Sequence, residues 1–250
     1  FSTNETMGFS ADKLAENWGV SRDEQDEYAY QSHKLASEAS LNGYLTDVIE
    51  MDNLKDNIIK HDTTIKKLKN LKPVFRKNGT ITPGNASSLS DGASACLLVN
   101  EEYLKKYELH PKSEILDYLY IGTNPVDELL LGPAYAIAKL LEKNKMTLND
   151  IDVFEIHEAF AGQVLANLNA LDSDKFKNMN NLKQKVGNLP IYKLNLYGGS
   201  LSLGHPFGAT GVRLLSHVSN RLVNEKKEIG LIASCAAGGL GHAMLVKNIN

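Results

Sequence analysis

"NLYGGSLSLGHPFGATGVRLL", residues Asn195 to Leu215, sets Gly198, Gly199, Gly204, Gly208 and Gly211 around one histidine and one proline. A packed core has no use for glycine at that density, because each glycine surrenders chain entropy on folding and brings no side chain to bury. The stretch reads as backbone brought close to something. Directly after it, Val212, Leu215, Val218 and Leu222 recur at intervals of three and four, which predicts one buried helix face over residues 211–225. The glycines then lie at a junction leading into a helix, where unpaired N–H groups and the positive end of the helix dipole point outward. Pro206 biases His205 away from helical backbone angles and holds it in the loop, facing a cavity. The competing reading makes His205 a capping or core histidine, with Pro206 merely starting the helix. No Gly-Lys-Ser/Thr follows, and the glycine spacing is not a dinucleotide fingerprint.

Two further segments place polar chemistry at strand ends. In "SCAAGGLGHA", Ser234 to Ala243, Cys235 closes the apolar strand "IGLIASC" before a Gly-rich turn, and "HAMLV" returns as an antiparallel partner. A thiol of ordinary pKa ~8.5 shuttles protons when cationic groups or helix N-termini bring it toward neutrality. The alternative is an inert cysteine buried in a hairpin. In "IHEAFAGQ", Ile156 to Gln163, His157 and Glu158 sit where the buried strand "IDVFEI" gives way to a helix. The helix dipole alone accounts for Glu158. His157, His205 and Cys235 carry more weight together than separately. Two histidines and a cysteine could ligate zinc, but no HxxxH or CxxC pair is present, and no metal is expected. His33, His61, His110 and His217 are read as solvated, and His242 on the last strand is left open. Cys96, inside the apolar run Ala95 to Val99, is read as a small core residue.

Upstream, "SADKLAENWGVSRDEQDEYAYQSHKLASEASLNGYL" predicts two helices, the second opened by a capping box of Ser21 and Glu24 and stopped at Gly43. From Thr46 to Lys77 the polar, lysine-rich sequence reads as a solvated excursion, with "LTDVIEM" as an edge strand within it. "NGTITPGNASSLSDGASACLLVN" predicts a turn-rich loop, a short Asp- or Ser-capped helix and a buried strand from Ala95 to Val99. After a boundary near His110-Pro111 the pattern becomes regular. Strand "SEILDYLYIG", helix "PAYAIAKLLEKN", strand "IDVFEI" and helix "EAFAGQVLANLNAL" precede a polar loop to Leu194, the glycine segment with its helix, and the closing strand pair. That alternation is a layered α/β domain.

Composition narrows the function. With 250 residues, 42% hydrophobic and 23% charged, the chain buries one large core or two joined ones, and disorder of the whole is excluded. A net charge of −3 offers no global attraction to nucleic acid or to an anionic membrane, which leaves a small molecule or another protein as partner. Two distant cysteines make no disulfide framework and fit a reducing, intracellular compartment. No apolar run approaches the roughly 20 residues of a membrane-spanning helix. Phe1 in place of methionine reads as an N-terminal segment removed or not included, with any targeting peptide on it.

On "TMGFSADKLAENWGVSRDEQDEYAYQSHKLA", "NASSLSDGASA", "HEAFAGQVLANLNAL", "GGSLSLGHPFGATG" and "CAAGGLGHAM", the sequence resembles the thiolases. Within them it is similar to the trifunctional-enzyme β-subunit group of 3-ketoacyl-CoA thiolases, over essentially all 250 residues. The resemblance implies the thiolase fold, an α/β fold layered αβαβα with mixed sheets. It divides the chain into residues 1–85 of the loop domain that covers CoA, 86–109 at the end of the N-terminal core domain, and 110–250 as the C-terminal core domain. The implied reaction is a two-step acyl transfer of fatty-acid β-oxidation. A cysteine thiolate attacks the 3-keto carbon, acetyl-CoA departs, and a second CoA takes the acyl group. Coenzyme A is a substrate, and no metal or redox cofactor takes part.

By the same resemblance His205 activates the nucleophile and donates to the thioester oxygen, and Cys235 exchanges a proton with the α-carbon of the acetyl unit. His157, standing where many thiolases have asparagine, takes over an oxyanion-hole role. Ser87, Met7 and Phe160 line the pocket for the pantetheine arm and acyl chain, and Gly204, Ala237 and Gly238 belong to the same substrate site. One well-placed donor to an oxyanion is worth about 3 kcal/mol, and glycines let backbone N–H groups crowd a thioester. The implied partners are acyl-CoA and CoA, further copies in a homodimer or tetramer, and the trifunctional-enzyme α subunit, with no nucleic acid. The implied location is mitochondrial, or cytoplasmic for a bacterial protein.

The sequence departs from the family in three places. The thiolase nucleophile lies ahead of the point corresponding to Phe1, so the chain is expected to be the C-terminal part of a longer enzyme and inactive alone. Ala237 stands where many thiolases have glycine, and the segment from Met51 to Phe75 is shorter than in the trifunctional β subunit. Two other readings compete: a condensing synthase of the same fold, which would use two histidines but not Cys235, and a non-catalytic CoA-binding or scaffolding protein lacking the nucleophile.

Overall fold

The computed structural model describes residues 4–49, 51 and 56–249. The Thr6 side chain accepts from the Phe9 N–H and opens α1, Met7–Asn17. The expected capping box of Ser21 and Glu24 opens α2, Arg22–Leu41, and Gly43 follows its end at φ +69°. Two short helices come next, α3 at Ile65–Lys69 and α4 at Glu101–Lys106. From there the predicted alternation holds. β1, Ser113–Gly122, leads to α5, Gly132–Asn144, which has proline in its first turn and a left-handed Lys145 at its end. β2, Val153–Ile156, leads to α6, Ala161–Leu171, and then α7, Asp174–Met179. The glycine segment carries one turn, α8 at Ser200–Leu203, ahead of α9, Thr210–Asn224. β3, Ile229–Ala236, and β4, Leu240–Asn248, close the chain.

The strands form one mixed sheet in the order β1-β4-β3-β2, with β2 parallel to β3 and the other pairs antiparallel. Side-chain alternation divides β3 between two cores. Leu231, Ala233 and Cys235 join the larger core with α5 and α6, while Ile232 joins Leu214, Val218 and Leu222 of α9 with Val153 and Val246. Helices therefore cover both faces, and α1 and α2 lie over α6. α9 also buries charge. Arg221, 0% exposed, pairs with Glu155 of β2 at 2.6 Å and with Glu225 at 2.8 Å, stitching the helix to the sheet.

Several sequence expectations are corrected. Residues 87–100 contain neither the capped helix nor the buried strand, Leu97 and Leu98 are 79% and 66% exposed, and Cys96 is exposed. A buried strand needs a pairing edge and covering layers, and among the described residues neither stands beside this run. Residues 45–49 turn and bend where "LTDVIEM" was expected to be an edge strand, and Glu50 lies outside the described residues. Asp47 is drawn inward to His217 at 3.4 Å, which holds the turn. The excursion from Thr46 to Lys77 is anchored by buried Ile59 and Leu68. It also covers the polar face of α2, where the Lys60 N–H donates to His33 Nδ1 at 3.2 Å. His33 and His217 are thus buried, not solvated, whereas His61 and His110 are exposed.

Two stability outcomes follow from these buried polar groups. Arg221→Met leaves the Glu155 carboxylate buried without its partner and is expected to cost about 3–5 kcal/mol in chemical denaturation. Replacing Glu155 as well, by leucine, should recover much of that loss. Burial and then the Lys60 charge push His33 down to about 4, so the unfolded chain takes up a proton near pH 6.5 that the folded one refuses until about pH 4. This contribution is complete above pH 6.5 and is lost as pH falls from there toward 4. Unfolding free energies measured across that window should decline less steeply in His33→Gln.

Candidate active site

The loop at residues 89–94 faces the loop at 205–209 across a cavity of about 700 Å³. His205 lines it, as the glycine-rich sequence predicts. At Gly204, φ is +90° and a Cβ would meet Ser90 Oγ at 2.6 Å, so only glycine brings the two loops this close. The next residue completes the contact, the His205 N–H donating to Ser90 Oγ at 3.2 Å.

The tautomer of His205 follows from its partners. Nδ1 lies 2.7 Å from Thr210 Oγ1, and that hydroxyl lies 3.1 Å from the Pro206 carbonyl. A carbonyl only accepts, so the Thr210 hydrogen goes to Pro206, the hydroxyl accepts from His205 Nδ1–H, and Nε2 keeps its lone pair. Burial, and then the Arg213 charge, push His205 down to about 4. It is a neutral imidazole with a free basic nitrogen.

His157 stands where β2 ends. Its N–H donates to Ala233 O at 2.8 Å, extending the β2–β3 pairing by one residue, and its side chain is 2% exposed. The imidazole packs on that of His205 with ring centroids 4.1 Å apart. Nδ1 lies 2.7 Å from Ser200 Oγ, to which Arg213 Nη2 donates at 2.8 Å. Burial first, then His205 and Arg213, hold His157 well below the usual imidazole range. The structure thus brings together two histidines that lie 48 residues apart in the chain.

Cys235 is placed differently. Ile156 pairs with Ala233 in parallel register, so His157 and Cys235 leave neighbouring strands at the same edge of the sheet. The thiol itself packs into the larger apolar core, and burial pushes it up to about 12. Of the two readings left open for this cysteine, a cation-lowered thiol and a buried one, the geometry matches the buried one, and a buried thiol resists ionisation unless a cation compensates. Ala237 and Gly238 lie in the exposed β3–β4 turn, Gly238 at φ +91°. The Ser87 N–H donates to Ala159 O at 2.9 Å, and Ala86 bridges Phe160, which ties this strip to the start of α6. Phe160 is buried and Met7 half-buried against the same core. Of the expected substrate-site residues, none of Ser87, Met7, Phe160, Gly204, Ala237 and Gly238 lines the cavity beside His205. Among the described residues no three His, Cys, Asp or Glu side chains converge to hold a metal ion.

Sequence reasoning missed Ser200, Thr210 and Arg213. The available signal was their spacing around the helix start, since Thr210 and Arg213 stand three residues apart and share a helix face. Glu158 was assigned to the dipole of the following helix. It instead accepts from Tyr28, Ser32 and Asn195 side chains at 2.9, 2.9 and 2.7 Å, and from the Leu201 N–H of α8 at 3.1 Å.

A mixed α/β layer thus carries a Gly-His-Pro loop against a His-Glu strand end. The family models for the thiolase N-terminal domain and C-terminal domain match residues 1–102 and 109–248, and the chain belongs to the thiolase family. It is 56% identical to "Probable 3-ketoacyl-CoA thiolase" of Caenorhabditis elegans over 256 residues, 99% of this chain and 57% of that protein. It is 52% identical to the mitochondrial trifunctional enzyme subunit beta of Bos taurus, over 99% of this chain and 54% of that one. The structure superposes on human mitochondrial 3-ketoacyl-CoA thiolase in complex with CoA with a TM-score of 0.83 and 33% identity, covering 98% of this chain and 59% of that one. The chain spans little more than half the length of these relatives.

The electrostatics give a direct expectation. Followed by NMR, the His205 imidazole should stay neutral on acidification from pH 8 and titrate with a midpoint near 4. A midpoint between 6 and 7 would show that burial and Arg213 do not act on it as described.

Proposed function

We propose that this chain supplies the acid–base and oxyanion-binding part of a 3-ketoacyl-CoA thiolase of fatty-acid β-oxidation. The carrying observation is the pair of neutral imidazoles, His157 and His205, packed at 4.1 Å beside a cavity. The identities to 3-ketoacyl-CoA thiolase and trifunctional enzyme subunit beta support the substrate class. The division into a loop domain at 1–85, an N-terminal core segment at 86–109 and a C-terminal core domain at 110–250 belongs to the same reading.

In the proposed cycle His205 Nε2 takes the proton of the nucleophilic thiol. By the family resemblance neither Cys96 nor Cys235 is that nucleophile, and burial keeps the Cys235 thiol protonated. The thiolate adds to the 3-keto carbon, and the resulting oxyanion is met by N–H donors that include His157. The C2–C3 bond then breaks, its electron pair passes to C2 of the departing acetyl-CoA, and the Cys235 S–H delivers a proton there. CoA attacks the acyl-enzyme thioester, its thiol proton passes to the Cys235 thiolate left by the first half-reaction, and the proton held on His205 returns to the nucleophile as the shortened acyl-CoA leaves. Ser87, Met7, Phe160, Gly204, Ala237 and Gly238 are assigned to the CoA and acyl side. Mitochondrial location, a homo-oligomer and association with other trifunctional-enzyme subunits rest on the bovine relative's name and the family resemblance.

The test uses the full-length protein with a series of 3-ketoacyl-CoA substrates and CoA, reading acetyl-CoA release. His205→Ala should lower kcat by about 10²–10⁴-fold, the range for removal of a general acid–base group. Cys235→Ala should abolish exchange of the acetyl-CoA α-protons. Unchanged exchange in that variant would favour the condensing-synthase reading, and absence of CoA-dependent cleavage with every substrate would end the proposal.

A further inference from the structure

We infer that Ser200 and Arg213 are positioning residues that fix His157 in the Nε2–H tautomer, making it an obligate hydrogen-bond donor beside a His205 held as the base. For its kinetic consequence alone, this inference rests on the thiolase reading. The geometry behind it is independent of any reaction.

The argument is a count of hydrogens. A guanidinium has five N–H donors and no acceptor, so the contact from Arg213 Nη2 makes Ser200 Oγ an acceptor. The hydroxyl has one hydrogen of its own, and its other neighbour is His157 Nδ1 at 2.7 Å. If Nδ1 carried the proton, Ser200 would accept twice and its hydrogen would point at nothing. Ser200 is 0% exposed, and an unsatisfied buried donor costs about 1–3 kcal/mol. With Ser200 donating to Nδ1, every group is satisfied and the proton of the neutral ring resides on Nε2.

Arg213 does more than occupy a lone pair. Its Nε and Nη1 are buried without partners, and among the described residues it forms no ion pair. The cation therefore remains free to oppose protonation of both rings. Thr210 and Arg213 both belong to the first turn of α9. One orients His205 directly and the other reaches His157 through Ser200. A single helix start thus assigns opposite tautomers to two packed, tilted imidazoles. His157 cannot move its proton to Nδ1 without orphaning the buried Ser200 hydroxyl.

The experiment is ¹⁵N NMR of the imidazole nitrogens at neutral pH, first in the protein itself and then in Ser200→Ala. The expected result is a protonated Nε2 and an unprotonated Nδ1 for His157, the reverse for His205, and a mixture of tautomers for His157 once Ser200 is replaced. A His157 protonated on Nδ1 in the unmodified protein overturns the inference without any variant having to fold. A kinetic arm in the full-length protein separates positioning from general support. Ser200→Ala should lower kcat about tenfold, less than the 10²–10³ lost when an oxyanion donor is removed outright, with little change in KM. In a His157→Asn background the amide N–H₂ needs no tautomer chosen for it, so the same change should cost less than about twofold on the same scale. Equal losses in both backgrounds would assign Ser200 a purely structural role and overturn the inference. Failure of the full-length protein to cleave 3-ketoacyl-CoA would remove the function proposed above while leaving the NMR result to stand or fall by itself.

Discussion

The site depends on one buried carboxylate. Glu158 follows His157 at the end of β2 and accepts hydrogen bonds from α2 through Tyr28 and Ser32, from the glycine segment through Asn195, and from α8 through the Leu201 N–H. A buried carboxylate is costly unless donors surround it, and here four donors come from three parts of the chain. Even so, burial raises its proton affinity above that of an ordinary glutamate. The same knot explains one of the glycines: a Cβ on Gly199 would collide with the Glu158 carboxyl. Through this cluster the strand end that carries His157 is locked against the segment that carries Ser200 and His205. The distance between the two imidazoles is set by a residue that touches neither the cavity nor the reaction.

α9 uses positive charge in two opposite ways. Arg213, His217 and Arg221 recur at intervals of four along one side of the helix. Arg221 is compensated by two carboxylates, so it consolidates the packing of helix on sheet. Arg213 has a serine hydroxyl as its recorded partner and no carboxylate within ion-pair distance among the described residues. Glu155, Glu158 and Asp47 act on this guanidinium only from beyond ion-pair distance, so its field also reaches the two histidines nearby. The helix thus anchors at one end and tunes at the other, with Asp47 and His217 joined between them.

These assignments were unequally legible in the sequence. From Ser113 onward, strands and helices follow from apolar periodicity, because each element buries a face against one sheet. His205 and His157 stood out because each sits where a regular element breaks. Leu97 and Leu98 misled, since an apolar run predicts burial only where a partner strand and covering layers exist. His33 and His217 misled in the opposite sense: their helices look polar around them, and only the fold reveals that a distant segment closes over that side. Ser200 and Arg213 were missed for the same reason, their spacing around the helix start being the one signal available. On a helix an arginine reads as a solvated charge until the tertiary contacts show what it faces.

Burial acts on the three candidate reactive groups with opposite sign, and that difference is useful chemistry. It lowers the proton affinity of His205 to about 4 and raises that of Cys235 to about 12. An imidazole that is rarely protonated cannot serve as a standing acid, but it is ready to accept. A thiol that rarely ionises cannot compete as nucleophile, yet its conjugate base is strong enough to exchange a proton with the reluctant carbon beside a thioester. In the proposed thiolysis the heteroatom proton belongs to His205, whose neutral ring offers a lone pair, and the carbon proton to Cys235. With the thiol in the apolar core and the imidazole on the cavity wall, their environments stay different enough for the division to persist.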